Sequence, residues 1–182
     1  MATDRQYITD VFSDIVDIVK TKYDTVDGEK PHYLYGHPID ITNQLTLKDS
    51  SSEFRFKKYP LICLILDLRQ RYDTNKNFAY SINPLILILA ETDPSYTSIE
   101  RTANTFKPIL YPLYNYLIES MEESGHVFMP INGFDHDMTP RYFWGKEGIK
   151  MRGNEGLIFN EYLDGIQVDF TDLKVFKNNC TI

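Results

Sequence analysis

The sequence predicts an α+β fold with a largely antiparallel sheet, and three features of its 182 residues support this prediction. An amphipathic helix pattern covers residues 5–22, strand-like apolar runs follow between residues 59 and 91, and a longer helix pattern covers residues 98–124. Helices and strands that occur in separate blocks are typical of α+β architectures. The length suits one domain over residues 1–182.

The N-terminal helix is predicted from apolar residues that recur every three and four positions. Asp10, Asp14 and Asp17 fall together on the opposite side of this helix. Such a stripe is typical of a solvated helix face. It also suits a face that lines an acidic channel or meets a basic partner.

Residues 27–58 show no stable hydrophobic period, and Gly28, Pro31, Gly36 and Pro38 punctuate their first part. A long irregular connection in a compact domain is either mobile or laid on another subunit. We therefore expect an extended arm or loop here.

Two apolar runs supply the predicted strands of the core. Residues 61–68 form a short run typical of a central strand, and the following RYDTNKN segment is rich in turn residues. A second strand region spans residues 78–91. Because Pro84 cannot donate a ladder hydrogen bond, we expect a bulge or break near Asn83.

The long helix has a recognisable start and an interrupted interior. Thr97 and Glu100 match a capping box immediately before the apolar stripe of residues 98–124. Pro108 and Pro112 lie within that stripe, and a proline removes a backbone donor and clashes one turn back. A kinked helix packed across the sheet is the expected result.

The C-terminal third is predicted to be mostly loop and strand. Residues 126–131 resemble a short strand, residues 132–156 read as a long polar and aromatic loop or arm, and residues 165–176 alternate as a half-buried final strand.

The charge and cysteine content exclude several classes of protein. The net charge of −7 and the absence of a basic region argue against tight non-specific nucleic-acid binding. The two cysteines, Cys63 and Cys180, match neither a metal-binding nor a disulfide pattern, so synthesis in a reducing cytoplasm is expected.

The N-terminus lacks the regions of a signal peptide, and no apolar run approaches the ~20 residues of a membrane span. A soluble protein with no membrane association is predicted.

The sequence contains no complete catalytic motif, so we predict that the protein is not an enzyme and uses no cofactor or metal. The alternative is a small metal-dependent hydrolase or nuclease that uses Asp135, His136 and Glu91. No second His or Cys stands at ligand spacing from His136, which weakens that alternative.

The strongest interaction-like motif is the run Arg141, Tyr142, Phe143 and Trp144, which places three aromatics beside an arginine. Trp, Tyr and Arg are enriched in binding hot spots, and the chain as a whole has 13 Tyr. This run is a candidate interface. The other interpretation is that it folds back and plugs an edge of the core.

The runs YPLICLIL and INPLILILAETDPSYTSIERTANTFKPILYPLYNYLIESM, with the closing FTDLKV, resemble tail-completion proteins of tailed bacteriophages, the tail-terminator and head–tail connector proteins. The resemblance covers residues 5–125 and 160–176. It consists of element order: an N-terminal helix, a hairpin that begins near an aromatic–proline pair (here Tyr59-Pro60), a long helix across the sheet, and final strands.

This resemblance implies a structural virion protein that forms a homo-oligomeric neck ring, six- or twelve-fold, around the DNA channel. It implies contact with adjacent phage neck, portal or tail proteins, and DNA that passes nearby without specific binding. The segments 27–58 and 132–156 depart from the short members of the family, which leaves open the type of ring and its neighbours. A further alternative is a monomeric, host-directed binding protein in the cytoplasm.

Overall fold

The computed structural model describes residues 7–23, 30–49, 58–66, 68–72, 78–145 and 161–176. Its helical elements are α1 (Ile8–Lys22), α2 (Pro38–Asp49), α3 (Ser98–Arg101), a π-helical segment (Thr102–Leu110) and α4 (Tyr111–Glu123). Its strands are β1 (His32–Gly36), β2 (Leu61–Ile65), β3 (Gln70–Tyr72), β4 (Phe78–Ile82), β5 (Leu85–Glu91), β6 (Val127–Phe128), β7 (His136–Arg141), β8 (Leu163–Phe170) and β9 (Leu173–Phe176).

The α+β fold class is confirmed, and the strands form two sheets. The first has five strands in the order β1-β2-β5-β8-β7, and within it β1 runs parallel to β2 while the other neighbours are antiparallel. The second has four antiparallel strands in the order β3-β4-β9-β6. The sheet is therefore largely antiparallel, as predicted.

Two strand pairs continue from one sheet into the other across a shared corner. β4 leads into β5 through Asn83-Pro84, which confirms the predicted break, and β8 leads into β9 through residues 171–172. The amide of Phe170 donates to the Pro84 carbonyl at 3.1 Å, and the amide of Asp172 donates to Asn83 Oδ1 at 2.9 Å. Asp172 has a φ of 51°, a conformation that Asp tolerates better than most residues. The predicted single final strand is thus two strands joined by a turn.

The five-stranded sheet is covered by helices on both faces. α1, the π segment and α4 pack on one face, where they form the larger core with residues such as Phe12, Phe106 and Ile88. α2 packs on the other face, where Ile41 and Leu45 contact a smaller core that includes Leu61, Cys63 and Leu89. Burial raises the pKa of the Cys63 thiol, as expected for an inert core cysteine.

The long helix crosses the sheet as three consecutive segments, α3, the π segment and α4. Both halves of the predicted capping box are present, since Glu100 N–H donates to Thr97 Oγ1 at 3.4 Å and Thr97 N–H donates to Glu100 Oε2 at 2.8 Å. The predicted interruption takes the form of the π segment, which contains Pro108. A proline has no N–H for the usual i→i−4 bond, so a change of helical register is a natural local solution.

The prediction that residues 27–58 form an extended arm or loop is wrong for their described part, which holds β1 and α2. β1 is held by its pairing with β2, a contact that local patterns do not encode. α2 has two buried apolar anchors, Ile41 and Leu45, while Ile39 and Leu47 are exposed. The apolar residues therefore lie on more than one side of α2, which hides its helical period.

The prediction of a loop over residues 132–156 is likewise wrong at residues 136–141, which form β7 against β8. The sequence HDMTPR alternates poorly because β7 lies at the edge of the sheet and has little buried surface. Residues 146–156 lie outside the described residues. The turn of the predicted hairpin, at 73–77, also lies outside them, but its flanking strands β3 and β4 pair antiparallel.

Substitution of Thr97 by Ala removes the cap of the long helix and should lower the free energy of unfolding by about 1 kcal/mol, because an orphan amide loses its acceptor. Hydrogen bonds from the backbone amide and the hydroxyl of Thr97 lower the pKa of Glu100. The contribution of its carboxylate is therefore present at neutral pH and is lost as the pH falls through that lowered pKa.

Urea unfolding of the wild type, Thr97→Ala and Thr97→Ser measures this difference. Ser retains the acceptor and should stay close to wild type. Equal stability of the Ala variant and the wild type would contradict a capping role for Thr97.

Candidate interface surfaces

The three predicted acidic residues of α1 lie on its solvent-facing side. Asp10, Asp14 and Asp17 are all exposed, while the opposite side of α1 is buried in the larger core. Asp17 Oδ1 accepts a hydrogen bond from Lys20 Nζ at 2.7 Å, and Asp14 Oδ2 lies 3.1 Å from His126 Nε2. Exposed pairs of this type contribute little to stability. The predicted exposed acidic stripe is present in the structure.

The acidic stripe continues onto the neighbouring helix. α1 packs along α4, and Lys22 on α1 reaches Glu119 at 3.4 Å and Glu123 at 2.8 Å. The hydrogen bond to Glu123 is the main reason that the pKa of Lys22 is raised. Together the two helices present one surface, here called the acidic face, that consists of six exposed carboxylates: Asp10, Asp14, Asp17, Glu119, Glu122 and Glu123.

The aromatic run that follows β7 folds back onto the core. The Tyr142 ring stacks on Phe106 of the π segment with centroids 4.2 Å apart, and its hydroxyl lies 2.9 Å from Thr102 Oγ1. The Trp144 amide donates to the Leu163 carbonyl at 2.8 Å. Residues 141–144 are partly buried rather than exposed. The structure thus favours the second interpretation of this run, a plug at the edge of the core.

Trp144 and Arg141 are held by residues of β8. Arg141 Nη2 donates to Gln167 Oε1 at 2.8 Å, and the guanidinium carbon lies 6.0 Å from the centroid of the Trp144 ring. A Cβ at Gly165 would lie 2.7 Å from Trp144 Cε3 and 2.8 Å from Leu89 Cδ2, so only glycine leaves room for the indole. Arg141 and Trp144 are therefore engaged in contacts within the fold.

A buried ion pair anchors the same region. Arg101 Nη1 donates to Asp164 Oδ1 at 3.1 Å, and neither side chain is accessible to solvent. Phe143 contributes twice, since its amide donates to Asp164 Oδ1 at 2.9 Å and its ring lies 3.7 Å from the Arg101 guanidinium carbon. This pair was not predicted from the sequence.

Arg101 also holds the turn that precedes α3. Its Nε donates to the Tyr96 carbonyl at 3.0 Å and its Nη2 donates to the Asp93 carbonyl at 3.2 Å. Asp164 Oδ2 is buried and accepts no hydrogen bond among the described residues. A signal was available in the sequence: Asp164 directly precedes a run of alternating strand residues, and Arg101 lies close to the apolar stripe of the long helix. Fully buried Asp and Arg are rare unless they are paired.

The residues of the metal-site alternative are not brought together. His136 pairs with Phe170 at one end of β8, and Glu91 pairs with Leu163 at its other end. Seven residues at about 3.4 Å each separate the two positions along β8, so they are roughly 24 Å apart. Within the described ranges, no group of three or more His, Cys, Asp or Glu side chains is arranged to hold a metal ion.

The ring nitrogens of His136 are already engaged by the protein. Nε2 lies 2.6 Å from the Tyr114 hydroxyl and Nδ1 lies 2.9 Å from the Phe134 carbonyl oxygen, while the ring stacks on Phe170. These contacts give His136 a structural role at the sheet edge. Ligation of a metal by His136 would require at least one of them to break.

Comparisons of the chain with protein-family models, with curated proteins and with solved structures found no match. Among the described helices, none combines the length and apolar character that a membrane crossing requires.

Replacing either partner of the buried ion pair should destabilise the fold strongly. Arg101→Met or Asp164→Leu alone should each lower the free energy of unfolding by about 3–5 kcal/mol, because the remaining charge stays buried without its counter-ion. The double variant should regain much of this loss, since its apolar side chains leave no unpaired charge.

A double-mutant cycle by chemical denaturation measures the coupling between the two positions. Lys20→Met with Asp17→Leu, an exposed pair on α1, is the matched control and should show a coupling below about 1 kcal/mol. Additive losses at Arg101 and Asp164 would mean that the pair does not act as a unit.

Proposed function

We propose that this chain is a structural virion protein that forms a ring in the head–tail neck of a tailed bacteriophage, joins the portal or connector to the tail, and surrounds the DNA channel. Its partners are further copies of itself, six or twelve per ring, and the adjacent neck, portal or tail proteins. It acts within the virion after synthesis in the host cytoplasm and carries out no catalysis.

The observation that carries this proposal is the acidic face. Six exposed carboxylates on two adjacent helices produce a negative field that repels the phosphates of DNA. A channel lined in this way lets DNA slide without binding it, because no phosphate is neutralised and no counter-ion is released. Two lysines pair on this surface, Lys22 with Glu119 and Glu123 and Lys20 with Asp17, so its six carboxylates outnumber its lysines.

The order of elements in the structure also supports the proposal. An N-terminal helix, strands that begin directly after Tyr59-Pro60, a long helix across the sheet and closing strands β8 and β9 agree with the layout that the resemblance implies. A ring built from one kind of subunit uses a head-to-tail interface, in which two different surfaces of each copy meet. In the proposed ring the acidic face lines the lumen and takes no part in this interface.

The oligomeric state of the full chain tests the proposal directly. Native mass spectrometry and negative-stain electron microscopy, on the chain alone and with the portal protein of the same particle, should show a closed ring of six or twelve copies. A monomer under both conditions, together with absence of the chain from purified particles, would overturn the proposal.

Charge reversal tests the lumen role of the acidic face. Asp10→Lys, Asp14→Lys and Asp17→Lys in one variant should leave the ring intact but reduce the number of infectious particles, because lysines would bind the phosphates of passing DNA. Infectivity and DNA ejection from assembled particles are the measurements.

The matched control reverses three exposed carboxylates elsewhere, Glu91→Lys, Asp135→Lys and Asp137→Lys, which changes the net charge equally. This control should eject DNA normally. Normal DNA ejection from both variants would show that the acidic face does not line the channel. An equal loss of ejection in both variants would assign the effect to net charge.

A further inference from the structure

The described sheets have four edge strands, and three of them carry a feature that discourages further strand pairing. β3 has three residues and β6 has two, so neither offers a long ladder. β7 contains Pro140 together with Asp137 and Arg141. Short length, proline and charge are the usual means by which proteins protect sheet edges.

The fourth edge, β1, has none of these features. Its five residues, HYLYG, include no proline and no Asp, Glu, Lys or Arg. Its pairing with β2 is regular over the full strand, from His32 opposite Leu61 to Gly36 opposite Ile65. Among the described edge strands, β1 therefore lacks these protections and can extend the five-stranded sheet by another strand.

The hydrogen bonds of β1 identify which backbone groups face outward. The His32 amide donates to the Pro60 carbonyl at 2.9 Å, and the Gly36 carbonyl accepts from the Leu66 amide at 3.0 Å, so these residues point towards β2. Backbone groups of successive strand residues point to alternate sides. The N–H and C=O groups of Tyr33 and Tyr35 consequently point away from β2, and within the described residues they have no backbone partner.

Two carboxylates flank this edge, one on each face of the sheet. Asp10 lies on the α1 side, because the Tyr33 hydroxyl donates to the carbonyl of the adjacent Thr9 at 3.3 Å. Burial is the main cause of the raised pKa of Tyr33, and Asp10 contributes to it through its charge. Asp40 lies on the α2 side, where its Cβ is 3.6 Å from the position that a Cβ of Gly36 would occupy.

Both carboxylates are exposed, and neither has a cationic partner in the described part of the chain. The two basic side chains of α1 are engaged elsewhere, Lys20 by Asp17 at 2.7 Å and Lys22 by Glu123 at 2.8 Å. The charge beside the edge is thus negative on both faces. An added strand with acidic side chains would be repelled, whereas lysine or arginine would be attracted.

We propose that the β1 edge is a strand-addition site for an extended basic segment of a partner protein. The backbone of that segment pairs with Tyr33 and Tyr35. One cationic side chain meets Asp10 near Tyr33, and a second meets Asp40 near Gly36. Because side chains alternate between the faces of a sheet, cations on opposite faces at these two levels lie three residues apart in the partner.

This inference goes beyond the proposed ring, since it concerns the β1 edge, which shares only Asp10 with the acidic face, and it holds for a monomer as well. Main-chain hydrogen bonds supply the affinity in this mode of recognition, and the alternating side chains supply the specificity. Tyr35, 48% exposed, provides an aromatic surface beside the added strand.

The test uses the full chain and two capped peptides of alternating threonine and valine, one with two lysines three positions apart and an isomer with two lysines four positions apart. The isomer has the same composition and charge but places both cations on one face. The first peptide should bind several-fold more tightly in fluorescence anisotropy. Amide hydrogen exchange should slow at Tyr33 and Tyr35 when it binds.

Asp10→Asn and Asp40→Asn should each lower the affinity for the first peptide about two- to fivefold, as expected for exposed ion pairs. Asp137→Asn, on the β7 edge, is the matched control and should leave binding unchanged. Tyr35→Pro removes an outward N–H but no β1–β2 bond, so it should abolish binding while the thermal unfolding temperature stays near that of the wild type.

Three results of the peptide experiments would overturn the proposal. They are equal affinity of the two isomers, no saturable binding up to about 1 mM, or binding without protection of Tyr33 and Tyr35. Concentration-dependent protection of these amides in the protein alone would assign the edge to a second copy of the chain instead, and would likewise reject a basic partner.

Discussion

The position of the long helix on the sheet depends on the buried pair between Arg101 and Asp164. Arg101 contacts β8 through Asp164, the preceding turn through two carbonyl groups, and the segment after β7 through the Phe143 ring. Apolar packing alone tolerates small sliding movements, whereas this set of hydrogen bonds has one geometry. A fully buried guanidinium is costly to desolvate, so its value lies in specifying how the layers meet as much as in net stability.

Much of the fold follows from patterns within single elements. The helical period identifies α1, apolar runs identify β2 and β5, the Thr97–Glu100 box marks the start of the long helix, and Pro84 marks the corner. β1, α2 and β7 could not be found in this way. β1 and β7 exist because of the strands they pair with, and α2 has too few buried residues to show a period.

The candidate surfaces show the same division. The stripe of Asp10, Asp14 and Asp17 follows from helical geometry, but its extension onto α4 depends on how α1 packs and is invisible in the sequence. The aromatic run at 141–144 could equally have been surface or core. Tyr142 stacks on Phe106 and Trp144 packs against Gly165, and these two tertiary contacts place the run at the core. Local composition identifies side chains that bind well, but not what they bind.

The corner at Asn83-Pro84 and residues 171–172 has a mechanical consequence. β4 continues into β5, and β8 continues into β9, from one sheet to the other. The sheets are therefore joined by covalent backbone as well as by packing. A pull on β9 is carried along the backbone into β8, where it loads the hydrogen bonds to β5 and β7 in shear, many at once. The two sheets therefore resist separation as one elastic body, and the corner is the point at which they would bend.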